Sequence, residues 1–199
     1  MNFPLTLTFL LVAAYLLGSI PFGIFMTKLF GGSDIRRAGS GNIGATNVSR
    51  TSPTLGFVTL LLDGLKGAGA VLLAAHLFPG NTKLEAIAAL FAILGHVFPW
   101  WLKFRGGKGV ATGTGAFLVL VPKAALVAMA VFAAIFLLFR YVSLASMAMF
   151  VALPLAAWFF GLVPSVLIIV VVASALVVAK HHENILRLLN GCESRWGSR

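Results

Sequence analysis

The stretch VSLASMAMFVALPLAAWFFGLVPSVLIIVVVASALVVA, residues 142–179, contains no charged side chain. It consists of two apolar runs, Val142–Phe160 and Val163–Ala179, separated by a glycine and a leucine. Each run is close to the roughly 20 apolar residues that a helix needs to cross the hydrocarbon core of a membrane. The stretch therefore predicts two consecutive transmembrane helices and argues against a water-soluble core.

The same pattern extends over the whole chain. Of its 199 residues, 60% are hydrophobic and only 10% are charged, which is unlike the composition of soluble domains. Five further apolar runs are Leu5–Thr27, Leu55–Phe78, Leu84–Leu102, Val110–Val121 and Ala124–Phe139. The expected fold is an all-α integral membrane protein with about seven transmembrane helices, forming a single polytopic domain over residues 1–199. The first run is too long for a signal-peptide core, so it is expected to be retained as the first helix.

The run Val110–Val121 would extend only about 18 Å as a helix, so residues 110–139 could instead form one long interrupted helix. Charge distinguishes the two arrangements. With seven spans and the N-terminus outside, twelve cations face the cytoplasm and only Lys83 and Lys123 face outward, whereas six spans give seven against six. The positive-inside rule favours seven spans with a cytoplasmic C-terminus. The twelve cations are Lys28, Arg36, Arg37, Arg50, Lys103, Arg105, Lys108, Arg140, Lys180, Arg187, Arg195 and Arg199.

Three segments are then predicted to be cytoplasmic: loops 31–54 and 103–109 and the tail 180–199. The first loop contains AGSGNIGATNVSR, residues 38–50. Its G-x-G-x-x-G spacing is not a dinucleotide fingerprint, because no strand precedes it. Glycines nevertheless let consecutive amides turn toward an anion, and the guanidinium of Arg50 suits phosphate. A plain connecting loop is the alternative. The predicted substrate-binding residues here are Ser40, Gly41, Asn42, Gly44, Thr46 and Asn47.

The second loop leads into KFRGGKGVATGTG, residues 103–115. Gly106, Gly107 and Gly109 surround Lys108 with flexible backbone, so the ammonium group and neighbouring amides could converge on one anion. This is not a Walker A loop, because a glycine follows the lysine and no strand precedes it. Thr112 could donate at the start of the next helix, where the dipole favours anions. Packing through small residues explains Gly113 and Gly115, but it does not account for Lys108.

Ionisable residues also occur within predicted helices. Asp63 and Lys66 have i, i+3 spacing and can pair on one helix face. Groups of this kind are costly at membrane depth, and the pair could act in the chemistry or orient the cytoplasmic loops. The tail segment KHHENILRLLNG, residues 180–191, predicts a helix with His181 and Asn184 on one face. Its leucines and isoleucine would face the bilayer, and Gly191 would end it.

Several classes of site are not expected. Cys192 is the single cysteine, which excludes an intrachain disulfide and a multi-cysteine metal site. The chain has five acidic residues, scattered along its length, so they do not form the carboxylate cluster that a magnesium-dependent transferase needs. The cations lie in links between apolar runs and indicate membrane orientation, not nucleic-acid binding. We therefore expect no metal, no cofactor and no nucleic acid.

Six segments in this order resemble the PlsY family of bacterial acyl-phosphate:glycerol-3-phosphate acyltransferases: GSIPFG, SGNIGATN, DGLKG, GHVFPWWLKFRGGKGVATGTG, RYVSLAS and HHENILRLLNG. The resemblance implies transfer of a fatty acyl group from acyl phosphate to the sn-1 hydroxyl of glycerol 3-phosphate, giving lysophosphatidic acid and phosphate for phospholipid synthesis. It also implies a site on the cytoplasmic face of the bacterial inner membrane, with membrane lipids as partners.

By the same resemblance, Arg50, Lys108, His181 and Asn184 would be catalytic. Ser40 would line the polar pocket, and Ser143 would lie near the donor phosphate. A carrier or channel for a phosphorylated metabolite is the alternative function. Transporter sites lie near the membrane midplane, whereas the polar segments are predicted at one membrane face, which favours the enzyme.

Overall fold

The computed structural model describes residues 2–197, and every regular element within them is helical. Arg199, one of the cations predicted on the cytoplasmic face, lies outside the described residues. The α-helices are α1 Phe3–Gly18, α2 Phe22–Met26, α3 Ala45–Thr51, α4 Pro53–Leu77, α5 Thr82–Val97, α6 Val110–Leu120, α7 Pro122–Phe139, α8 Val142–Phe159, α9 Pro164–Ala179 and α10 His182–Leu189. A π-helical turn occupies Thr27–Gly31, and 3₁₀ turns occupy Ile35–Arg37 and Trp100–Leu102. The predicted all-α fold is confirmed.

The chain divides into two compact units, with the boundary between Leu120 and Val121. In the first unit, α4 packs against α1, α3, α5 and α6, and α1 also packs against α5. In the second unit, α8 packs against α7 and α9. The single membrane domain predicted over residues 1–199 stays a prediction.

Several helices have the length and composition of membrane spans. Four candidates are Pro53–Leu77, Thr82–Leu102, Pro122–Phe139 and Val142–Phe159. Two bent pairs of helices, α1 with the segment Phe22–Gly31 and α9 with α10, raise the number to six if each pair is one span. These spans support a multi-pass membrane protein, whereas the count of seven and the outward N-terminus stay predictions.

The short helix α6 has 11 residues, which corresponds to about 16 Å at 1.5 Å per residue. A continuous helix over residues 110–139 is not formed, because the backbone at Val121 has φ −137° and ψ 62°. Pro122 follows directly and begins α7, a position that suits proline because its missing amide hydrogen is not needed in the first helical turn.

The first apolar run, predicted as one helix over Leu5–Thr27, is interrupted in the structure. α1 and the helical segment that follows it make an angle of 41°. The cause is Pro21, which has no amide hydrogen and cannot bond to the carbonyl of Leu17 as a continuing helix would require. The amide of Ile20 forms a shorter-range bond to that carbonyl instead, at 3.3 Å. The run predicted as the first helix is therefore divided into two helical segments.

Glycines let α4 and α6 approach each other backbone to backbone. A Cβ on Gly67 would lie 1.9 Å from the carbonyl oxygen of Thr112, and a Cβ on Gly115 would lie 2.0 Å from the carbonyl oxygen of Gly64. Larger residues at these contacts would force the helices apart. This confirms small-residue packing as the role of Gly115.

We predict that Gly67→Ala lowers the free energy of unfolding by about 1–3 kcal/mol, the usual range for overpacking. The matched control is Gly64→Ala on the same helix, where a Cβ would meet its nearest atom at an ordinary 3.7 Å. That change should be neutral or slightly stabilising, because alanine is the better helix former. Thermal unfolding in detergent measures both. Equal midpoints for the two variants would contradict the close packing of α4 on α6.

Candidate active site

The loop AGSGNIGATNVSR folds around the buried side chain of Asn47. Its Oδ1 accepts a hydrogen bond from the amide of Ser40 at 2.9 Å. Its Nδ2 donates to carbonyl oxygens of three residues, at 3.2, 3.0 and 2.9 Å, which are those of Ile35, Ala38 and Asn42. Asn47 therefore closes the loop internally. Its predicted role as a donor to substrate is corrected to a structural one.

Gly39 makes this closure possible. Its φ is +56°, and a Cβ there would lie 2.3 Å from Oδ1 of Asn47 and 3.5 Å from Cδ of Arg50. The aliphatic stem of Arg50 thus lies beside the turn at Gly39, and the residue as a whole is exposed. A planar guanidinium at this place suits bidentate contact with a phosphate group.

The amides of this loop fall into two groups. Those of Ser40, Gly41 and Gly44 are bonded within the loop, to Asn47, to the carbonyl of Ala38 and to the side chain of Asn42. Within residues 2–197, no acceptor is found for the amides of Asn42, Ile43, Ala45 and Thr46. The amides predicted to bind an anion at Gly41 and Gly44 are thereby corrected. Asn42 and Thr46 remain candidates, as does the exposed hydroxyl of Ser40.

An apolar cluster anchors the loop to the first unit. Its buried members are Ile24, Ile35, Ile43 and Val48. Leu102, which directly precedes the second polar loop, packs against the same cluster. Residues of the first polar loop and the residue that precedes the second polar loop therefore pack in the same apolar cluster.

The second loop is bonded to the end of α5. The amide of Gly106 donates to the carbonyl of Val97 at 3.1 Å, and the amide of Gly107 donates to the carbonyl of His96 at 3.0 Å. These bonds satisfy carbonyls that the end of a helix leaves without partners. The prediction that the Gly106 and Gly107 amides point at an anion was wrong, because both serve the fold.

Lys108, by contrast, extends from this fixed backbone and is half-buried. Thr112 is completely buried, and its backbone forms the close contact with Gly67 described above. Its hydroxyl is buried and has no hydrogen-bond partner within residues 2–197, so its predicted contact with substrate stays a prediction. Of the predicted residues in the second loop, Lys108 stays a candidate for binding an anion.

In the second unit, His181 lies directly before α10 and is buried. Its Nδ1 is 2.8 Å from the carbonyl oxygen of Val177. Because a carbonyl only accepts hydrogen bonds, Nδ1 carries the proton, and the lone pair of the neutral ring is on Nε2. Asn184 is also buried, whereas the apolar residues of α10 are exposed, namely Ile185, Leu186 and Leu189. The two predicted faces of this helix are confirmed.

Glu193 is the residue that sequence reasoning missed. Its Oε1 accepts hydrogen bonds from the hydroxyl of Ser143 at 2.6 Å and from the side-chain amide of Asn184 at 2.7 Å. Its Oε2 accepts from Nε of Arg187 at 2.7 Å. The hydroxyl hydrogen of Ser143 is thus engaged by Glu193, and its expected place near the donor phosphate stays a prediction. Arg187 also forms a longer ion pair, at 3.8 Å, with the exposed Glu183.

These contacts determine the ionisation of Glu193. Burial by itself raises the pKa of this carboxyl group, but the hydrogen bonds from Ser143, Arg187 and Asn184 outweigh burial and lower the pKa below its usual value. The group is therefore a carboxylate at neutral pH. It fixes the rotamers of Asn184 and Ser143 at the start of α10 and α8.

Comparison with known proteins shows where this arrangement belongs. The family described as glycerol-3-phosphate acyltransferase matches residues 8–191. A protein of that name from Syntrophotalea carbinolica is 50% identical over 94% of this chain and 96% of its own length. The chain belongs to the glycerol-3-phosphate acyltransferase family. The PlsY resemblance inferred from the sequence is thereby confirmed.

Two solved structures of the family have the same fold. One is a crystal structure of PlsY (YgiH), an integral membrane glycerol 3-phosphate acyltransferase, in its glycerol 3-phosphate form; it is 42% identical, covers 96% of both chains and has a TM-score of 0.91. The lysophosphatidic acid form is 41% identical, covers 96% of this chain and 95% of that chain and has a TM-score of 0.89. These likenesses support an integral membrane acyltransferase.

We predict that Glu193→Gln lowers the free energy of unfolding at pH 7 by about 1–3 kcal/mol, because it weakens charge-assisted hydrogen bonds to a mostly buried group. Since the pKa of Glu193 is lower in the folded protein than in the unfolded one, its stabilisation is present at neutral pH and is lost as the pH falls through the folded pKa. The difference between wild type and variant should therefore shrink in acid.

The control is Glu183→Gln, whose side chain is 66% exposed and 3.8 Å from Arg187. An exposed pair of this kind contributes little, so its melting midpoint should stay close to that of the wild type. If Glu193→Gln melts at the same temperature as Glu183→Gln at every pH, the hydrogen bonds to Glu193 do not stabilise the fold as proposed.

Proposed function

We propose that this protein transfers a fatty acyl group from acyl phosphate to the sn-1 hydroxyl of glycerol 3-phosphate. The products are lysophosphatidic acid and inorganic phosphate. Family membership supports the acyltransferase activity and the acceptor. The donor, acyl phosphate, is what the PlsY resemblance implies, and it agrees with the lack of a nucleotide-binding motif in the two polar loops.

The observation that carries the proposal is that the first polar loop contains both amides that are bonded within the loop and amides that have no acceptor. The groups that close the loop are bonded to one another, whereas the amides of Asn42, Ile43, Ala45 and Thr46 have no acceptor within the described chain. These amides occur as two pairs, on either side of the bonded amide of Gly44, and loop amides without an acceptor are suited to binding a phosphate group. We assign Arg50 and Lys108 to neutralising the phosphates of the two substrates, with Ser40 and Thr46 as hydroxyl donors.

The reaction is proposed to be a direct attack. Acyl phosphate is a mixed anhydride with a good leaving group, so an acyl-enzyme intermediate has little to add. The main task is to hold two anions in the right geometry, and positioning of this kind supplies roughly 7 to 11 kcal/mol in well-oriented intramolecular reactions. The acceptor oxygen bonds to the acyl carbon, the bond from that carbon to the phosphate oxygen breaks, and phosphate leaves.

The hydroxyl proton has two possible acceptors. His181 would accept it on Nε2, but the partner of its Nδ1 is a neutral carbonyl, whereas a carboxylate would stabilise an imidazolium ion. This favours the phosphate of the donor as the base. In that mechanism His181 and Asn184 orient the acceptor, and Glu193 orients Asn184 in turn.

The identity of the donor is tested with purified protein in detergent, radiolabelled glycerol 3-phosphate and either palmitoyl phosphate or palmitoyl-CoA. We expect lysophosphatidic acid with palmitoyl phosphate and none with palmitoyl-CoA, because the loops offer sites for phosphate and no site for a nucleotide. Comparable turnover with palmitoyl-CoA would overturn the proposed donor. A carrier or channel would produce no lysophosphatidic acid from either donor.

We also propose that the protein resides in the bacterial inner membrane with its tail in the cytoplasm, as the distribution of cations indicates. Cys192 is exposed and is the single cysteine, so it reports on this orientation. A membrane-impermeant maleimide should leave it unlabelled in intact cells and label it after permeabilisation. As a matched control, Lys83→Cys in a Cys192→Ser background should be labelled without permeabilisation, since Lys83 is exposed and predicted outside. Labelling of Cys192 in intact cells would refute the orientation.

A further inference from the structure

Three ionisable side chains lie in the interior of the first unit and have no part in the proposed reaction. They are Asp63 and Lys66 on α4 and His96 near the end of α5, and their exposed fractions are 2%, 3% and 4%. Burial of such groups in a membrane protein is costly, and an apolar replacement of similar volume often packs equally well. Their presence therefore calls for a specific role.

Lys66 bonds to the interruption in the first span. Its Nζ is 2.7 Å from Oδ1 of Asp63 and donates to the carbonyl oxygen of Ile20 at 2.8 Å. In a continuous helix that carbonyl would accept from the amide of Ile24, but this amide bonds to the carbonyl of Pro21 instead. The carbonyl of Ile20 also accepts from the amide of Phe22 at 3.1 Å, so the ammonium group adds a second hydrogen bond to it at the place where the proline breaks the helix.

His96 extends the same network to the second polar loop. Its Nδ1 lies 3.7 Å from Oδ1 of Asp63, a packing contact without a hydrogen bond. On the other side of the ring, a Cβ on Gly107 would lie only 2.1 Å from Nε2, so the loop backbone rests directly on the imidazole. The carbonyl of His96 also accepts the amide of Gly107. The ring and the carbonyl of His96 together fix the position of Gly107, which precedes Lys108.

We propose that Asp63, Lys66 and His96 form a positioning network that fixes the backbone beneath Lys108. The three side chains are positioning residues and do not contact substrate. Through them the anion-binding loop is connected to α4 and to the break at Pro21. The inference rests on the proposed function only in assigning an anion to Lys108.

The matched control is Thr59, one turn before Asp63 on α4. It is completely buried, and its hydroxyl has no hydrogen-bond partner within residues 2–197. Thr59→Val therefore removes a buried polar group from the same helix without touching the network. Removing a hydroxyl without a partner is expected to leave stability unchanged or to raise it.

The test compares wild type, Thr59→Val and the double variant Asp63→Asn/Lys66→Met. The double change avoids leaving one buried charge without its partner, which is the more damaging situation. Two quantities are measured in detergent without acyl donor: the affinity for glycerol 3-phosphate by calorimetry, and hydrogen exchange of the segment 97–109. We expect the double variant to bind about 10-fold more weakly, equivalent to about 1.4 kcal/mol, and its loop amides to exchange faster.

Thr59→Val should match the wild type in both measurements. Unchanged affinity and exchange in the double variant would overturn the network, as would equal losses in Thr59→Val. The hydrogen-exchange measurement does not depend on substrate, so it tests the positioning network even if the wild type fails to bind glycerol 3-phosphate. Failure of the wild type to bind would overturn the proposed function instead.

A second pair of variants covers the case in which the double variant does not fold. Gly107→Ala should weaken binding strongly, because its methyl group would occupy the position of the His96 ring. In a His96→Ala background the same change should cost much less, since the ring is gone. Losses that simply add would show that the ring does not support the loop and would overturn the proposal.

Discussion

A backbone polar group inside a membrane protein needs a partner from the protein itself, because the hydrocarbon offers none. Regular helices meet this requirement alone, but an enzyme also needs irregular backbone to bind polar substrates. Three departures from helical structure in the first unit each have such a partner. Lys66 bonds to the carbonyl of Ile20 at the proline break, Asn47 closes the first polar loop, and the end of α5 accepts the amides of Gly106 and Gly107.

This constraint explains why polar residues and glycines occur together. Asn47 reaches its four partners because Gly39 adopts a positive φ and has no Cβ to displace Oδ1. In the same way Gly107 lies against the ring of His96 only because it has no side chain. A glycine therefore lets the backbone approach closely enough for a buried polar side chain to pack against it or bond to it. The loop amides that remain without an acceptor are the ones that can bind a ligand.

The sequence predicted the helices well because a membrane helix is defined by the length of its apolar run, which is a local property. The interruption at Pro21 was missed because the run is apolar on both sides of the proline. The roles of Asn47, Gly106 and Gly107 were misjudged because a loop that satisfies itself and a loop that binds phosphate contain the same residue types. Glu193 was missed because its contact with Ser143 joins positions 50 residues apart, and no local pattern carries that information.

The distinction between engaged and available donors also bears on catalysis. A donor that already closes a loop cannot turn toward a phosphate without opening that loop, whereas an amide held without an acceptor is oriented before the substrate arrives. Electrostatic stabilisation is most effective when the dipoles need no reorganisation during the reaction. In the first unit the bonds made by Asn47 and by the end of α5 hold the backbone that precedes Arg50 and Lys108. In the proposed mechanism the buried polar groups thus keep these cations and the unpaired amides in place before two like-charged substrates are brought together.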